Sequence, residues 1–429
     1  MASRKLLPTN LKPTLYRVRL EPNFDEQCFS GQVDIKYYES DETVEIEALE
    51  HFVVGENIKF VIEYRGNFTN DLAGFYQAHY TTDEDETEHH IAVTSMEPTY
   101  ARQLDQLQRL IQAALEGRLS IRDAVGMSCD LRALVSAGTN KTSTLLDLCL
   151  SFKNMSDYHV WETIDKNLRA VQSAFRFQSP AVITALKKVV VDIIGSKSRE
   201  LGWDISEDDD DTMVSFKASM FSVAGLAGDP EIVSAAKRMF AERVAGKENA
   251  INPSLWWETF GIVASYGGRE ELDDLFNIWK TSSNEDEEYL ALECLGRAST
   301  DELVVRVLDL AFTKHVKDQD LYLLLWLMNS STHGVERLWK WTKTNWDRVE
   351  KAVPVDMQGM TLGVVLDGLS TKNQMADVEG YFAERNTENY QQLLAQKMEL
   401  MDVRRLWAER DLEDLTSWLV NHGYMEQSA

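Results

Sequence analysis

The residues best suited to metal-dependent chemistry are the eight histidines, at positions 51, 79, 89, 90, 159, 315, 333 and 422. A helical zinc site needs two histidines four residues apart, with a glutamate directly after the first. Both imidazoles then face one metal, and the carboxylate accepts a proton from its water. No pair in the sequence has this spacing, and His89 and His90 are adjacent in a predicted strand, where side chains alternate between faces. The histidines therefore predict no metal ligands.

The other motifs that carry catalysis are also missing from the sequence. There is no G-x-x-x-x-G-K or G-x-G-x-x-G phosphate loop and no G-x-S-x-G nucleophile turn. The four cysteines, Cys28, Cys129, Cys149 and Cys294, contain no C-x-x-C pair, and we interpret them as small buried apolar residues. The carboxylate run 207–211 lacks the ligand spacing and turn glycine of a calcium loop, which indicates a solvated loop leading into a helix. The residues alone predict no catalytic group.

Charge and hydropathy narrow the classes of partner. The formal net charge is −26, from 44 Lys and Arg against 70 Asp and Glu. Phosphate backbones and anionic lipids repel such a chain, so neither nucleic acid nor a membrane surface is a predicted partner. The longest apolar stretch, 321–328, is far shorter than the roughly 18 residues that a membrane helix needs. The first residues lack the apolar run of a signal peptide, and we expect a cytoplasmic location.

The elements that would position any site change character near residue 102. Before it, apolar and polar residues alternate in strand-like runs at 14–20, 29–38, 44–48 and 58–64, separated by turn formers. After it, apolar residues recur with helical period. We predict an α+β fold with two domains. A partial antiparallel β-sandwich occupies residues 1–102, and a large all-α solenoid of the HEAT or armadillo type occupies residues 103–429.

Helix signals are frequent in the second part. Leu104–Leu115 forms an apolar face, and Ser120 with Asp123 forms a capping box before a helix that ends at Gly138. Asp229-Pro230 gives a cap and a first-position proline. Further helices are predicted from Asp157 and over 255–265, 272–279, 289–295, 303–312, 321–328, 335–346, 375–385, 390–408 and 412–422. Trp256, Trp257, Trp339 and Trp341 are interpreted as packing between these helices and not as a ligand cage.

Several segments resemble the M1 family of zinc aminopeptidases, the puromycin-sensitive and related fungal cytosolic enzymes. Leu7–Tyr16 is similar to the start of the family's N-terminal β-domain, and Asn67–Tyr76 to its "GFY" hairpin. Thr94–Arg102 is similar to the family's "TQxEPTDAR" segment. From about Leu104 onward the chain resembles the family's C-terminal helical domain. The resembling pieces there include Tyr158–Trp161, Leu201–Trp203, Ala291–Gly296 and Arg404–Arg410.

The resemblance also implies what this chain lacks. In the family, the "EPTDAR" segment leads into a catalytic domain with an H-E-x-x-H helix, but here Arg102 is followed directly by Gln103-Leu104 of the helical part. Zinc is the cofactor of the intact relatives, and its ligands are absent. One residue carries over as substrate-binding, Glu97, which aligns with a family glutamate that holds the substrate's free amino group. The neighbouring family positions differ, with Ser95 and Tyr100 in place of glutamine and aspartate.

Three functions remain open at this point. The first is a non-catalytic scaffold of M1 ancestry, a pseudoenzyme whose solenoid binds a peptide or protein partner. The second is an incomplete chain or isoform of a cytosolic zinc aminopeptidase. The third is an enzyme of another type, with the fold recruited to a different reaction, for example in a biosynthetic pathway. The sequence names no nucleophile or base for the third.

Overall fold

A computed structural model of the chain describes seven strands between residues 21 and 95 and the continuous segment 120–426. The chain divides into two compact units, Met1–Thr99 and Tyr100–Ala429. The predicted strand runs 14–20 and 58–64, the predicted helix 104–115 and the junction between Arg102 and Gln103 lie outside the described residues.

The strands of the first unit pair antiparallel in three separate sheets. The first sheet has the order β1-β2-β5, the second pairs β3 with β4, and the third is a hairpin of β6 and β7 in which Gly74 lies opposite Ser95 and Thr81 opposite Glu88. These sheets do not test the predicted sandwich, which stays a prediction. The strands are β1 Glu21–Asn23, β2 Cys28–Ser30, β3 Lys36–Tyr38, β4 Thr43–Glu45, β5 Gly66–Asn67, β6 Gly74–Thr81 and β7 Glu88–Ser95.

Residues 120–426 of the second unit are helical, as the sequence predicts, with short 3₁₀ turns and one π-turn between helices. The α-helices are α1 Ile121–Ala137, α2 Thr142–Phe152, α3 Tyr158–Ala174, α4 Pro180–Val190, α5 Ser196–Leu201, α6 Asp211–Ala227, α7 Pro230–Val244, α8 Trp256–Tyr266, α9 Arg269–Thr281, α10 Glu285–Leu295, α11 Asp301–Leu308, α12 Leu321–Trp326, α13 Thr332–Ala352, α14 Val355–Leu366, α15 Lys372–Phe382 and α16 Gln391–Asn421.

The helices form two layers around one apolar core. In one layer α1, α3, α6, α8, α10, α12 and α14 follow one another, and each contacts the next. Most of the remaining helices pack on this layer; α2, α4, α7 and α9 each contact two of its members, and α13 contacts α14. The 31-residue helix α16 contacts α14 and also α1, α2, α3 and α4, so the array closes on itself. No helix among the described residues is long and apolar enough to cross a membrane.

Local signals set several helix ends. The Ser120 hydroxyl accepts from the Asp123 amide, the Asp123 carboxylate accepts from the Ser120 amide, and the predicted capping box is confirmed. Gly138 ends α1 with φ 88°, a left-handed conformation that glycine adopts without steric cost. Asp229 caps α7, and Pro230 is its first residue, as predicted. Asp210 of the predicted solvated carboxylate run caps α6, accepting from the Met213 amide at 2.8 Å.

The structure differs from the predicted helices in three ways. Helices α2, α4, α5 and α14 were not predicted, whereas α6 is the helix expected after the carboxylate run. The segments 390–408 and 412–422 form one helix, α16, because neither glycine nor proline lies between them. Helix α11 ends at Leu308, and the residues after it turn, with Phe312 at φ 63°. The Phe312 ring there stacks on Trp341 with a centroid distance of 5.7 Å.

The closure of the array depends on a polar seam between α2 and α16, formed by Thr142, Ser143, Trp407, Asp411 and Asp414. Helix α2 has no side-chain cap of its own. Instead, the Asp411 carboxylate accepts from the Thr142 amide at 3.1 Å and its hydroxyl at 2.9 Å, and Asp414 accepts from the Ser143 amide at 2.9 Å. The Trp407 indole N–H donates to the Thr142 hydroxyl at 2.8 Å. Carboxylates at a helix N-terminus satisfy amides that have no intrahelical partner.

Candidate functional site

A polar cavity lies on the helix layer, across α6 between α3 and α8. It has a volume of about 440 Å³. We call it the α6 groove, and its walls are Tyr158, Arg169, Val214, Ser215, Ala218, Ser219, Ser222, Ser254, Trp257 and Glu258. Helix α6 contributes the small side chains of this set, and α3 and α8 contribute the large ones. Small residues on one element allow the backbone of a bound chain to come close to it.

Tyr158 and Ser222 show how the groove combines packing with unused polar groups. Tyr158 is the first residue of α3, directly after the helix cap Asp157, and its ring packs on Phe216 of α6 with a centroid distance of 5.4 Å. Ser222 is only 3% exposed, and its hydroxyl is buried without a hydrogen-bond partner among residues 120–426. A buried polar group without a partner costs roughly 1–3 kcal/mol, so a ligand that supplies the missing bond regains that energy.

The α3 wall carries a guanidinium that is held in position but only partly used. Arg169 Nε donates to both oxygens of Asp165, at 2.7 and 2.9 Å. Burial raises the pKa of Asp165 even though Arg169 lowers it. The Arg169 side chain is 48% exposed, and its Nη groups make no hydrogen bond to any residue between 120 and 426. Arg169 can therefore donate to a ligand in the groove while Asp165 fixes its orientation.

Glu258, in the first turn of α8, is the titratable group of the groove. Burial raises its pKa to about 7, against the smaller opposing effects of a hydrogen bond from its own backbone and of Arg297. Near neutral pH this carboxyl is therefore partly protonated, and it both donates and accepts hydrogen bonds. Perturbed carboxyl groups of this kind are concentrated at functional sites.

A buried arginine lies behind Trp257 and Glu258. Arg297 is 6% exposed, its guanidinium lies over the Trp257 ring at 5.1 Å, and its Nε has no hydrogen-bond partner. A side-chain carbon at Gly261 would lie 3.1 Å from that Nε, so the absence of a side chain there admits the arginine against α8. Burial lowers the pKa of Arg297 to about 10, which leaves it charged at neutral pH.

Glu293 completes the charged layer behind the groove. It is 8% exposed, and burial raises its pKa against the smaller lowering effects of Trp257 and Arg297. Trp257 therefore does more than pack between helices, which is the role that the sequence predicts for it. Trp339 does have that predicted role, because it is 5% exposed in the core.

The groove offers hydrogen bonds and charge but no activated nucleophile. Among the described cysteines, Cys149 and Cys294 are buried, and burial raises the pKa of the Cys149 thiol to about 12 and that of Cys294 as well. Within 120–426 and the seven strands, no three His, Cys, Asp or Glu side chains are grouped to hold a metal ion. The residues of this part of the chain therefore do not fit a zinc site.

Glu97 lies outside the described residues, so its substrate-binding role stays a prediction. Sequence reasoning missed the groove residues altogether. One sequence pattern indicates part of the groove: Ser215, Ser219 and Ser222 recur at helical spacing in the largely apolar α6.

Two family models match this chain. Residues 103–402 match the ERAP1-like C-terminal domain, and residues 34–105 match the peptidase M1 N-terminal domain. The chain belongs to the M1 aminopeptidase family. Its helical domain of the M1 type carries the α6 groove.

Curated relatives resemble the helical part of this M1 chain. Aminopeptidase 2 of Candida albicans is 35% identical over 319 residues, which are 74% of this chain and 34% of that protein. The alanine/arginine aminopeptidase of Saccharomyces cerevisiae is 31% identical over 310 residues, 71% of this chain and 36% of that protein. The puromycin-sensitive aminopeptidase of Caenorhabditis elegans is 25% identical over 239 residues, 55% and 25% of the two chains. The match to the two fungal relatives thus spans about a third of their length.

Proposed function

We propose that this M1 chain is a non-catalytic polypeptide-binding protein and that the α6 groove holds an extended segment of its partner. The observation that carries this proposal is a set of polar groups along one groove that lack partners within residues 120–426. They are the Ser222 hydroxyl and the Arg169 Nη groups, and the Glu258 carboxyl beside them adds a group with a raised pKa. An extended backbone presents alternating N–H and C=O groups, which match such a mixture of donors and acceptors.

The sequence supports a function without peptide hydrolysis. Hydrolysis by the M1 enzymes depends on a metal that polarises the carbonyl group and acidifies water. The sequence contains no H-E-x-x-H motif to bind that metal. The side chains of the α6 groove cannot replace that metal as a Lewis acid. This supports polypeptide binding without hydrolysis as the function of the chain.

A second function is supported by the position of the two family matches. The N-terminal match ends at residue 105 and the C-terminal match begins at 103, so the two meet directly. The matched segment covers 34% and 36% of the two fungal aminopeptidases. An incomplete version of a zinc aminopeptidase fits these facts equally well. On that alternative, the groove would belong to an enzyme that removes N-terminal residues from peptides.

A third alternative, recruitment of the fold to another reaction, has one supporting observation. Glu258 has a pKa of about 7 and could act as a general acid or base at neutral pH. The groove serines are not activated as nucleophiles by any histidine or lysine among the groove residues. We therefore rank this alternative below the other two.

We propose the rest of the architecture on the same grounds. The two-layer helical array is of the HEAT or armadillo solenoid type, the N-terminal strands belong to a partial β-sandwich, and the domains are residues 1–102 and 103–429. A peptide or protein is the expected partner. We place the protein in the cytoplasm, although the name of one relative, "Aminopeptidase 2, mitochondrial", assigns that yeast protein to mitochondria.

Peptide binding by the full chain tests the proposed function. A fluorescein-labelled mixed-sequence peptide library would be titrated with protein and its fluorescence anisotropy measured. Ser219→Phe places a ring in the groove, and we expect it to weaken binding by about tenfold or more. The matched control is Ser234→Phe on the exposed side of α7, which should bind as the wild type does. Failure of the wild type to bind would refute the function, and equal binding by Ser219→Phe would refute the location.

The mass of the protein in its own cells separates the first two functions. The scaffold predicts an endogenous species of 48.9 kDa. The aminopeptidase alternative predicts a species of roughly twice that mass or more, because the curated aminopeptidases are about three times as long as the segment that this chain matches. Intact-mass measurement on immunopurified protein decides between them.

A further inference from the structure

Three cations surround a single carboxylate where the turn after α3 meets α14 and α16. We call Arg176, Lys397, Arg404 and Asp367 the cation cluster. Lys397 Nζ donates to Asp367 Oδ1 at 2.9 Å, and Arg404 Nη2 donates to the same oxygen at 3.3 Å. Arg404 Nη1 also donates to the Asp367 main-chain oxygen. Both cations use one carboxylate oxygen, so one negative charge is shared between them.

Arg176 adds a third positive charge, which forms no ion pair within segment 120–426 although Asp367 attracts it. A side-chain carbon at Gly368 would lie 3.1 Å from Arg176 Nη1, which places the guanidinium beside Asp367. That nitrogen is buried without a hydrogen-bond partner, and Arg176 forms no ion pair with a residue of segment 120–426. Burial, and then repulsion by Arg404, lowers the pKa of Arg176 to about 10, so the group is still protonated at neutral pH.

An unused acceptor lies at the same place. Asn329 Oδ1 is buried without a partner and would be 2.8 Å from a side-chain carbon at Gly368. The Asn329 amide nitrogen donates to the Val364 carbonyl, which fixes its orientation. The cation cluster therefore offers one unpartnered donor, Arg176 Nη1, and the neighbouring Asn329 Oδ1 can accept only from a protonated ligand oxygen. Leaving a buried charge without a partner is costly because it has lost the solvation of water.

We propose that the cation cluster binds a small oxyanion, a phosphate or a carboxylate. Guanidinium groups present paired N–H donors that match the oxygens of both anions, and lysine adds a point charge. The Lys397 and Arg404 side chains are 22% and 21% exposed, so an anion in solvent can reach them. The anion supplies the counter-charge that Arg176 lacks. The bound anion also links the turn after α3 to α16. This anion site is separate from the α6 groove.

Calorimetric titration of the full chain with inorganic phosphate tests this inference, with citrate as a second arm and ionic strength held constant with NaCl. The wild type should show saturable binding in at least one arm, and the stronger arm identifies the anion class. Arg176→Gln and, as a second variant should that one not fold, Lys397→Gln should each weaken binding by about tenfold. The control Lys166→Gln removes an exposed cation from α3 and should bind as the wild type does.

Asp367→Asn separates an anion site from a purely structural salt-bridge cluster. It removes the carboxylate that competes with the ligand, and an anion site should then bind phosphate or citrate several-fold more tightly. Absence of saturable binding in both arms for the wild type and Asp367→Asn would overturn the proposal. Equal affinity of Arg176→Gln and the wild type would overturn it too.

Discussion

The seam between α2 and α16 and the α6 groove have similar polar residues but treat them in opposite ways. At the seam, Asp411 is fully buried, and its oxygens accept from the Thr142 amide and hydroxyl and from Arg410. In the groove, Ser222 is also buried and its hydroxyl has no partner. A fully bonded polar network adds stability, and a partly bonded one lowers it unless a ligand completes it. The difference indicates that the seam stabilises the fold and that the groove binds a ligand, which we propose to be a polypeptide segment.

One arginine near each region, Arg410 at the seam and Arg297 behind the groove, shows the same difference in hydrogen bonding. Arg410 of the seam donates to the Val135 carbonyl at 2.6 Å and to Asp411 at 2.9 Å, so its charge is compensated. Arg297 behind the groove is more deeply buried, and its Nε has no partner. Helix ends and the chain closure depend on the first arginine. Arg297 lowers stability because it is buried with an unsatisfied Nε. Residues that serve function often have such a cost in stability.

The largest expected effect is at the seam. Asp411→Ala leaves the Thr142 amide and hydroxyl without that acceptor and Arg410 without its counter-ion. We expect it to lower the free energy of unfolding by roughly 3–5 kcal/mol. Urea unfolding followed by circular dichroism measures this. The control Asp347→Ala breaks an exposed pair with Arg385 and should change stability by less than about 1 kcal/mol. Equal losses in the two variants would show that the seam does not hold the array closed.

Replacing each arginine by methionine compares seam and groove directly. Arg410→Met should lower the free energy of unfolding by about 2 kcal/mol, because it removes charged hydrogen bonds from the buried Asp411. Arg297→Met should leave stability unchanged or raise it by about 1 kcal/mol, because an apolar side chain replaces a buried guanidinium whose Nε has no hydrogen-bond partner within residues 120–426. Thermal unfolding at neutral pH gives both values. A large loss in Arg297→Met would mean that this arginine is a structural residue.

Glu258→Gln sharpens the account of the groove. Burial raises the pKa of Glu258 from 4.5 to about 7, so the folded protein binds its proton more tightly than the unfolded chain does. The resulting stability is present at acidic pH and is lost as pH rises through about 7. Glutamine stays neutral, so the variant should be more stable than the wild type by roughly 1–3 kcal/mol above pH 7 and similar to it near pH 4. Glu207→Gln, in the exposed loop before α6, should show no such difference.

Asp411→Asn should show the opposite dependence on pH, with the smallest effect. Burial opposes ionisation of Asp411, but hydrogen bonds from Arg410 and Thr142 outweigh it and hold its pKa below the usual 3.8. The stability that this carboxylate adds is present above pH 3.8 and is lost as pH falls through its folded-state pKa. The gap between wild type and variant should therefore narrow in strong acid. Urea unfolding across this pH range measures the gap, and a constant gap would contradict the assignment.

Local patterns predict much of the helical fold and little of its closure. Helix ends are predictable where the capping residue lies within a few residues of its partner. This applies to the capping box at Ser120, to Gly138 and to Asp229-Pro230. The cap of α2 comes from Asp411 and Asp414, about 270 residues further along the chain. No short-range pattern contains that contact, and helix α2 was accordingly missed.

The groove was beyond prediction for a related reason. Its walls come from α3, α6 and α8, and no local pattern in the sequence places these three helices side by side. The raised pKa of Glu258 follows from burial, which depends on how the helices pack. The absence of the zinc motif is evident from the sequence, because that motif consists of given residue types at a short fixed spacing.

Hydrogen–deuterium exchange of the full chain, with and without the mixed-sequence peptide library, tests most directly whether the α6 groove binds polypeptide. We expect the peptide to slow exchange in the first turn of α8 and along α6, with no change at the seam. Slower exchange elsewhere with α6 and α8 unchanged, or no change anywhere at saturating peptide, would contradict the account.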